Sequence, residues 1–408
     1  MLSPFIKRVL TLLSGSVLAQ VITLALTPLL ARLYSKEAFG ELGILMSCSA
    51  VLAILFTGKL ELSFFNLRSQ VQRQRMKLGV VFIALLMGLL FLPIFFIFKS
   101  DIANTLNISV VAALLIPVAA LFLAYFNLFT NFAISVQDFS SASRAKVARA
   151  ITQGAAQSAA FVLPLGLIIG EVFGRIYACG YLLYKTKIEN IAFSKRKVLA
   201  TLRKGKPFVK YTTPASLLNT FSMQMPTIFI GINYDAASAG LFLMTQRILA
   251  APTALIGQAL SQVYNSEFAH SDLNTAKWRL FRATLVKSSA LSLLFFSTLA
   301  ITAPYLVTTF LGDKWLSVAD FILLLTPMFF CQLSIGVISN TLNMLEKNKV
   351  MMFWDAFRGS GIILFAIATT TQHFTISTFL LGYSAIMVFN YLVLLALTLT
   401  PMKALKDL

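Results

Sequence analysis

Acidic side chains are few: 15 Asp and Glu stand against 34 Lys and Arg, and charged residues of both signs make up only 12% of the 408 positions. Soluble globular domains carry about 25% charged residues, so an ordinary water-exposed surface cannot be built from this chain. Histidine is scarcer still. His270 and His373 lie far apart in sequence, and a histidine-based metal site is not expected. Cys48, Cys179 and Cys331 all sit in apolar segments and read as packing residues rather than as a disulfide or metal set. The chain has no GxxxxGK[ST] run, hence no nucleotide-hydrolysing loop of its own. It also lacks a paired-carboxylate, Ser/His/Asp or Cys/His constellation, so neither catalysis nor a cofactor is expected.

Hydrophobic residues fill the space that charge leaves. They make up 58% of the chain, 36 of them phenylalanine, and mean hydropathy is +0.82. The apolar runs are long and continuous, unlike the alternating ten-residue segments of a membrane barrel, and most are long enough to cross a bilayer as a helix. The expected fold is therefore an all-α integral membrane protein with about twelve transmembrane helices in two pseudo-symmetric six-helix bundles. The spans read as 9–31, 41–63, 78–98, 108–133, 147–166, 167–184, 210–231, 237–263, 283–309, 318–344, 353–371 and 374–399. The domains are expected to be an N-terminal half, 1–184, a basic connector, 185–209, with part of it a surface helix, and a C-terminal half, 210–408. Further spans follow the first at once, so a cleaved signal peptide is not expected.

Basic residues concentrate in the connections on one side, from Lys7 and Arg8 through Arg144, Lys146 and Arg149 to Arg358, Lys403 and Lys406. The positive-inside rule then puts both termini in the cytoplasm. Topology and attraction to anionic membrane lipids account for most of the net charge of +19, and nucleic acid is not an expected partner. No connection on the other side exceeds about ten residues, which leaves little room for an exposed catalytic domain. A faint repeat links the halves: Tyr34 and Gly40 match Tyr234 and Gly240, Pro28 matches Pro226, and Asp138 with Arg149 resembles Glu346 with Arg358.

Helical spacing gathers polar residues into stripes. Ser16, Gln20, Thr23 and Thr27 share one face; Asn127 and Asn131 another; Gln153 and Gln157 a third; Ser216, Asn219 and Met223 a fourth. Further along, Arg247, Ala254, Gln258 and Gln262 line up, as do Gln332, Gly336, Ser339 and Asn343. Such residues serve equally as helix-to-helix glue or as the wall of a hydrated cavity between the halves, where amides and hydroxyls would meet sugar hydroxyls. Arg247 falls roughly 15 Å into its helix, at a depth where a guanidinium must face protein, water or ligand. Its fork of donors fits phosphate oxygens. Lys59 and Glu61, two residues apart, should point to different faces rather than pair; Lys59 either snorkels to the interface or makes first contact with phosphate, and Glu61 is a candidate ion-coupling carboxylate. Glu171 and Arg175, four apart, read as an internally compensated ion pair, and Asp235 as a solvated turn residue.

Two stretches carry a family resemblance. One holds Pro207-Phe208, Tyr211, Pro214, Asn219, Pro226, Gly240, Gln246-Arg247, Pro252, Gln262 and Glu267; the other is LTLLSGSVLAQVITLALTPLLARLYSKEAFGELGIL, followed by TGKLELSF. Both resemble the polysaccharide (O-antigen, Wzx-type) flippase family, of the same superfamily (MOP) as the multidrug exporters called MATE. Gly58-Lys59-Leu60-Glu61 resembles that family's Gly-Arg-x-Glu element, with lysine replacing arginine. The resemblance implies a flippase that moves an undecaprenyl-pyrophosphate-linked oligosaccharide from the cytoplasmic to the periplasmic leaflet of a bacterial inner membrane by alternating access. It implies a polysaccharide polymerase and a chain-length regulator as further partners, and leaves open coupling to a proton or sodium gradient. Arg247 and Lys59 would hold phosphate; Gln20, Asn127, Asn131, Gln153, Gln157, Asn219, Gln258 and Gln332 would hold sugar. The alternatives are a drug exporter of the related family, a peptidoglycan-precursor flippase and, disfavoured by the short outer connections, a membrane glycosyltransferase or polymerase.

Overall fold

The computed structural model describes residues 4–186, 195–271, 273–372 and 374–406. The middle of the basic connector, 187–194, and His373 lie outside the described residues, as do the side chains of Lys7 and Arg8. Among the described residues all regular structure is helical. The chain forms two compact units, Met1–Gly240 and Leu241–Leu408.

The first unit contains α1 (Pro4–Leu33), α2 (Lys36–Thr57), α3 (Gln70–Ile97), α4 (Lys99–Leu106), α5 (Val110–Ser135), α6 (Phe139–Ala159), α7 (Gly166–Lys185), α8 (Lys195–Lys204) and α9 (Thr213–Asn233). It ends within the first turn or so of α10 (Ala236–His270), which continues into the second unit. The second unit adds α11 (Asn274–Leu311), α12 (Ser317–Gly336), a single turn α13 (Thr341–Met344), α14 (Asn348–Gln372) and α15 (Ile376–Lys406). The units divide after Gly240 because α9 packs against α2 and α4. The pattern-based halves 1–184 and 210–408 remain a proposal about the repeat rather than a description of packing.

Among the described residues ten helical segments are long and apolar enough to cross a membrane; the protein is a multi-pass membrane protein. The two other expected spans, 147–166 and 210–231, do form helices, α6 and α9, but both are too polar to qualify on apolarity. Helix α6 begins earlier than expected because Asp138 accepts a bond from Ser141 N at 3.0 Å and caps it. It therefore takes in Arg144, Lys146 and Arg149, which the sequence pattern places in a connection. Its polar face is covered by neighbours. Lys146 Nζ donates to Ser16 Oγ on α1 at 2.8 Å. On α7, Gly170 and Gly174 let the backbone approach the Gln157 and Gln153 side chains more closely than any larger residue would, the small-residue contact expected between helices in lipid.

Two pairs of turns are built alike. Ser35 Oγ caps α2 by accepting from Ala38 N at 3.3 Å, and Asp235 Oδ1 caps α10 by accepting from Ser238 N at 2.5 Å. Asp235 is thus a helix cap rather than a merely solvated turn residue. At the matching positions one turn on, a Cβ on Gly40 would overlap the Ala236 carbonyl oxygen, and one on Gly240 the Lys36 carbonyl oxygen. A second pair of turns refines the register: Gln137 and Glu346 share the left-handed conformation, with φ of 65° and 59°. The match is therefore Gln137 with Glu346, one residue earlier than Asp138.

Each unit has its own core. In the first, Phe64, Met76, Val80, Phe129, Phe132 and Leu182 pack together. In the second, Tyr264, Phe268, Phe281, Val337 and Ile338 do so, with the Tyr264 and Thr341 hydroxyls 2.7 Å apart.

Candidate functional site

A cavity of about 450 Å³, lined by both polar and apolar side chains, opens inside the second unit. Helix α10 contributes Gln258, Ser261 and Gln262; α12 and the turn after it contribute Gln332, Gly336 and Ser339; α14 contributes Trp354, Asp355 and Arg358; α15 contributes Tyr391. The spacing that aligned Gln258 with Gln262, and Gln332 with Gly336 and Ser339, thus turns both stripes onto one space. Ser261 Oγ, donating to Val337 O at 3.1 Å, ties the two helices together beside it.

The charged part of the wall comes from α14. Arg358 Nη2 donates to Asp355 Oδ1 at 3.0 Å, one helical turn away, and its guanidinium carbon lies 4.7 Å from the centre of the Trp354 ring. The indole is fixed in turn: Trp354 Nε1 donates to Asn390 O on α15 at 2.8 Å, and its ring lies 6.2 Å from that of Tyr391. Asp355 is 43% exposed and Arg358 14%, so water keeps access to the carboxylate while the cation is held against an aromatic face. Sequence reasoning missed this group, having assigned Arg358 to a cytoplasmic connection. The available signal was its spacing: Trp354, Asp355 and Arg358 fall at i, i+1 and i+4 in an otherwise apolar helix.

Arg247 is half-buried on the same α10 but does not line this cavity; Gln258 lies roughly 16 Å further along the helix at 1.5 Å per residue. Asn219 is exposed on α9.

The first unit holds two charged groups. In one, Glu171, fully buried, accepts from Arg175 Nη2 at 2.7 Å and from Arg149 Nη2 at 2.8 Å. Arg175 also donates from Nη1 to Ala119 O at 2.9 Å. The expected Glu171–Arg175 pair is therefore a triad with a surplus positive charge. Arg149, 24% exposed and 5.3 Å from the Phe126 ring, is its outer member. In the other group, Lys59 Nζ approaches Glu61 Oε1 at 3.9 Å. This corrects the expectation that the two point apart. The α-helix ends at Thr57, Gly58 and Lys59 take left-handed conformations with φ of 56° and 52°, and Leu60–Asn66 continues as a 3-10 helix, so α-helical spacing does not apply. At 3.9 Å the contact is an ion pair without a hydrogen bond. Glu61 is 2% exposed, and its Oε2 has no hydrogen-bond partner.

The remaining expected sugar contacts separate. Gln20, Asn127 and Asn131 are half-buried on α1 and α5. Gln153 and Gln157 are buried at the α6–α7 contact, and Gln157 Nε2 is taken up by Leu167 O at 2.9 Å. Beside them Tyr34 donates its hydroxyl to Gln157 O at 2.6 Å, and burial pushes that phenol's pKa up, keeping it a donor. These two glutamines serve helix packing.

The sequence profile of the family described as polysaccharide biosynthesis protein matches residues 29–320. The chain belongs to that family. No curated protein sequence matches the chain. Among solved structures its fold is similar to lipid II flippase MurJ in an inward closed conformation, with a TM-score of 0.76 and 13% identity over 96% of this chain and 89% of that one. It is similar also to an inward-facing multidrug resistance MATE family transporter of the MOP superfamily, with a TM-score of 0.67 and 13% identity over 95% and 96%. A third is the MATE multidrug transporter DinF-BH, with a TM-score of 0.65 and 15% identity over 100% and 97%. The polysaccharide biosynthesis protein thus has the MurJ/MATE fold.

Proposed function

We propose that the protein is a flippase that moves an undecaprenyl-pyrophosphate-linked oligosaccharide, an O-antigen or related surface-polysaccharide repeat unit, from the cytoplasmic to the periplasmic leaflet of the bacterial inner membrane. Alternating access is the mechanism, and no covalent chemistry on the sugar is involved. The observation that carries the reading is the second unit's cavity. Its glutamines and serines both donate and accept, as sugar hydroxyls require, and Arg358 in its wall offers a planar fork for phosphate oxygens. Membership of a polysaccharide biosynthesis family supports a saccharide cargo. The fold likeness to a protein titled lipid II flippase supports a lipid-linked cargo.

In this reading Arg358, Gln258, Gln262 and Gln332 hold the cargo in the second unit. Arg247 and Lys59 are positions where phosphate is met elsewhere along the route. The polyprenyl tail stays in lipid, which avoids carrying its hydrocarbon through a hydrated space. Glu61, buried with one free oxygen, is the group through which a proton or sodium gradient would drive the cycle, since neutralising it removes a charge that burial makes costly. Both termini face the cytoplasm, and a polymerase and a chain-length regulator act on the exported units.

A drug exporter of the related kind is the second reading. The feature favouring it is Asp355, whose exposed carboxylate in the cavity wall would suit a cationic drug; Arg358 at 3.0 Å opposes it. Deleting the gene in a cell with intact assembly enzymes separates the two. The flippase reading expects lost surface polymer and a single repeat unit on polyprenyl pyrophosphate accumulating in the cytoplasmic leaflet. Normal polymer with raised drug sensitivity would favour the exporter.

A further inference from the structure

We infer that the first unit carries a second binding site, a cleft for a phosphate group borne on a lipid, where the 3-10 segment after α2, the first turn of α3 and the end of α8 meet. It shares no lining residue with the second unit's cavity and does not depend on what that cavity holds. The cleft measures about 370 Å³, and Asn66, Arg68, Ser69, Gln72, Lys204 and Phe208 are among its lining residues. Two of its lining residues are cations and none is a carboxylate. Among the described residues neither Arg68 nor Lys204 forms an ion pair. Two unneutralised cations facing one polar space repel each other unless an anion joins them.

The backbone on both sides of the cleft is fixed by its framework, while the Arg68 and Lys204 side chains are themselves exposed. Arg73 donates from Nε to Leu67 O at 2.9 Å and from Nη1 to Ser135 O at 2.8 Å, fixing the backbone next to Arg68 to the end of α5. Phe64 packs edge-on against Phe132 with ring centres 5.5 Å apart, anchoring the 3-10 segment in the core. On the other wall Thr201 is buried and Leu202 lies against Gly79 of α3, which sets the direction in which α8 presents Lys204.

The chemistry selects the ligand. An arginine fork with an ammonium group opposite suits an anion with several acceptor oxygens, and hydroxyl and amide groups from Ser69, Asn66 and Gln72 supply further donors. The α3 first turn adds backbone N–H groups, since the Ser69 side chain makes no capping bond there. Phe208 and Leu67 give the cleft an apolar side, which suits the start of a hydrocarbon chain and offers nothing to a free inorganic ion.

The test uses the full-length protein purified in detergent, with thermal unfolding followed against added dioleoylphosphatidylglycerol, dioleoylphosphatidylcholine or sodium pyrophosphate. The native protein should be stabilised saturably by phosphatidylglycerol. The double variant Arg68→Gln/Lys204→Gln should bind it about tenfold more weakly, the loss expected for one or two charge-assisted hydrogen bonds. The charge-keeping pair Arg68→Lys/Lys204→Arg should retain most of the binding and shows that the site tolerates substitution. Arg203→Gln/Lys206→Gln removes the same charge from exposed neighbours that do not line the cleft, and should leave affinity within about twofold. Equal losses in the cleft and control variants would reduce the effect to general surface charge and overturn the site. Pyrophosphate binding at the native affinity, lost in the cleft variant, would assign the cleft to a soluble phosphate and overturn the lipid assignment.

Discussion

Arg149 and Arg358 occupy matching places after two left-handed turns, one in each unit. Each follows a left-handed turn residue, Gln137 or Glu346, by the same number of positions. Each donates to a carboxylate, at 2.8 Å to Glu171 and 3.0 Å to Asp355. Each also lies over an aromatic ring, at 5.3 Å from Phe126 and 4.7 Å from Trp354. The partners differ in burial: Glu171 is sealed and Asp355 is 43% exposed. One arginine is therefore bound into a structural triad, and the other borders a cavity.

Arg358→Ala should abolish export while the protein still inserts and accumulates, because the Asp355 it leaves behind is exposed to water and loses little without its partner. Arg358→Lys should keep part of the activity, having charge but no fork. Surface-polymer staining alongside immunoblotting checks both; full polymer from Arg358→Ala would remove this residue from the route.

Glu171→Ala should behave in the opposite way. It strands two guanidiniums, one of them only 2% exposed, and breaking a buried pair in this manner costs about 3–5 kcal/mol. The expected result is a large drop in yield and in thermal unfolding temperature of the purified protein. Unchanged stability would mean that the triad is not holding α6 and α7 together.

Much of this was legible in the residues themselves. Long apolar runs mark a helical membrane protein, and the i, i+4 stripes put Gln258 with Gln262 and Gln332 with Gly336 and Ser339, the residues that now share one wall. Other residues were hidden for physical reasons. Basic residues near a predicted span end look like topology signals, so Arg149 and Arg358 could not be distinguished from Arg144 until the turns at Gln137 and Glu346 fixed where the helices begin. Gln153 and Gln157 look the same as cavity residues in sequence; only the close approach of Gly170 and Gly174 shows that a helix covers them. The Lys59–Glu61 pair depended on a left-handed step at Gly58 and Lys59 that helical spacing cannot anticipate.

Gly40→Leu and Gly240→Leu should each disrupt the turn contact, since even a Cβ at either position meets a carbonyl oxygen across it. Overpacking of this kind costs about 1–3 kcal/mol or more. Thermal unfolding of each purified variant measures it, and two variants as stable as the native protein would dissolve the interlock.

Glu61→Gln tests coupling. The amide keeps the side chain's shape but cannot change charge, so transport should lose its dependence on an imposed proton gradient while cargo binding remains. Gradient-dependent transport by Glu61→Gln would place the coupling group elsewhere.

Topology is checked by reporter fusions after Arg196 and Lys403, both expected to read as cytoplasmic. A periplasmic signal at either would overturn this topology.

As a flippase, the protein itself would carry a pyrophosphate-linked oligosaccharide between leaflets. The direct measurement is in vesicles reconstituted with the purified protein and a polyprenyl-pyrophosphate oligosaccharide, with the sugar exposed on the outer face followed over time by a membrane-impermeant glycosidase. Protein-dependent movement should be fast in native vesicles, absent with Arg358→Ala and unaffected by excess free sugar without the lipid. Equal exposure in native and protein-free vesicles, under an imposed gradient of protons and then of sodium, would contradict it.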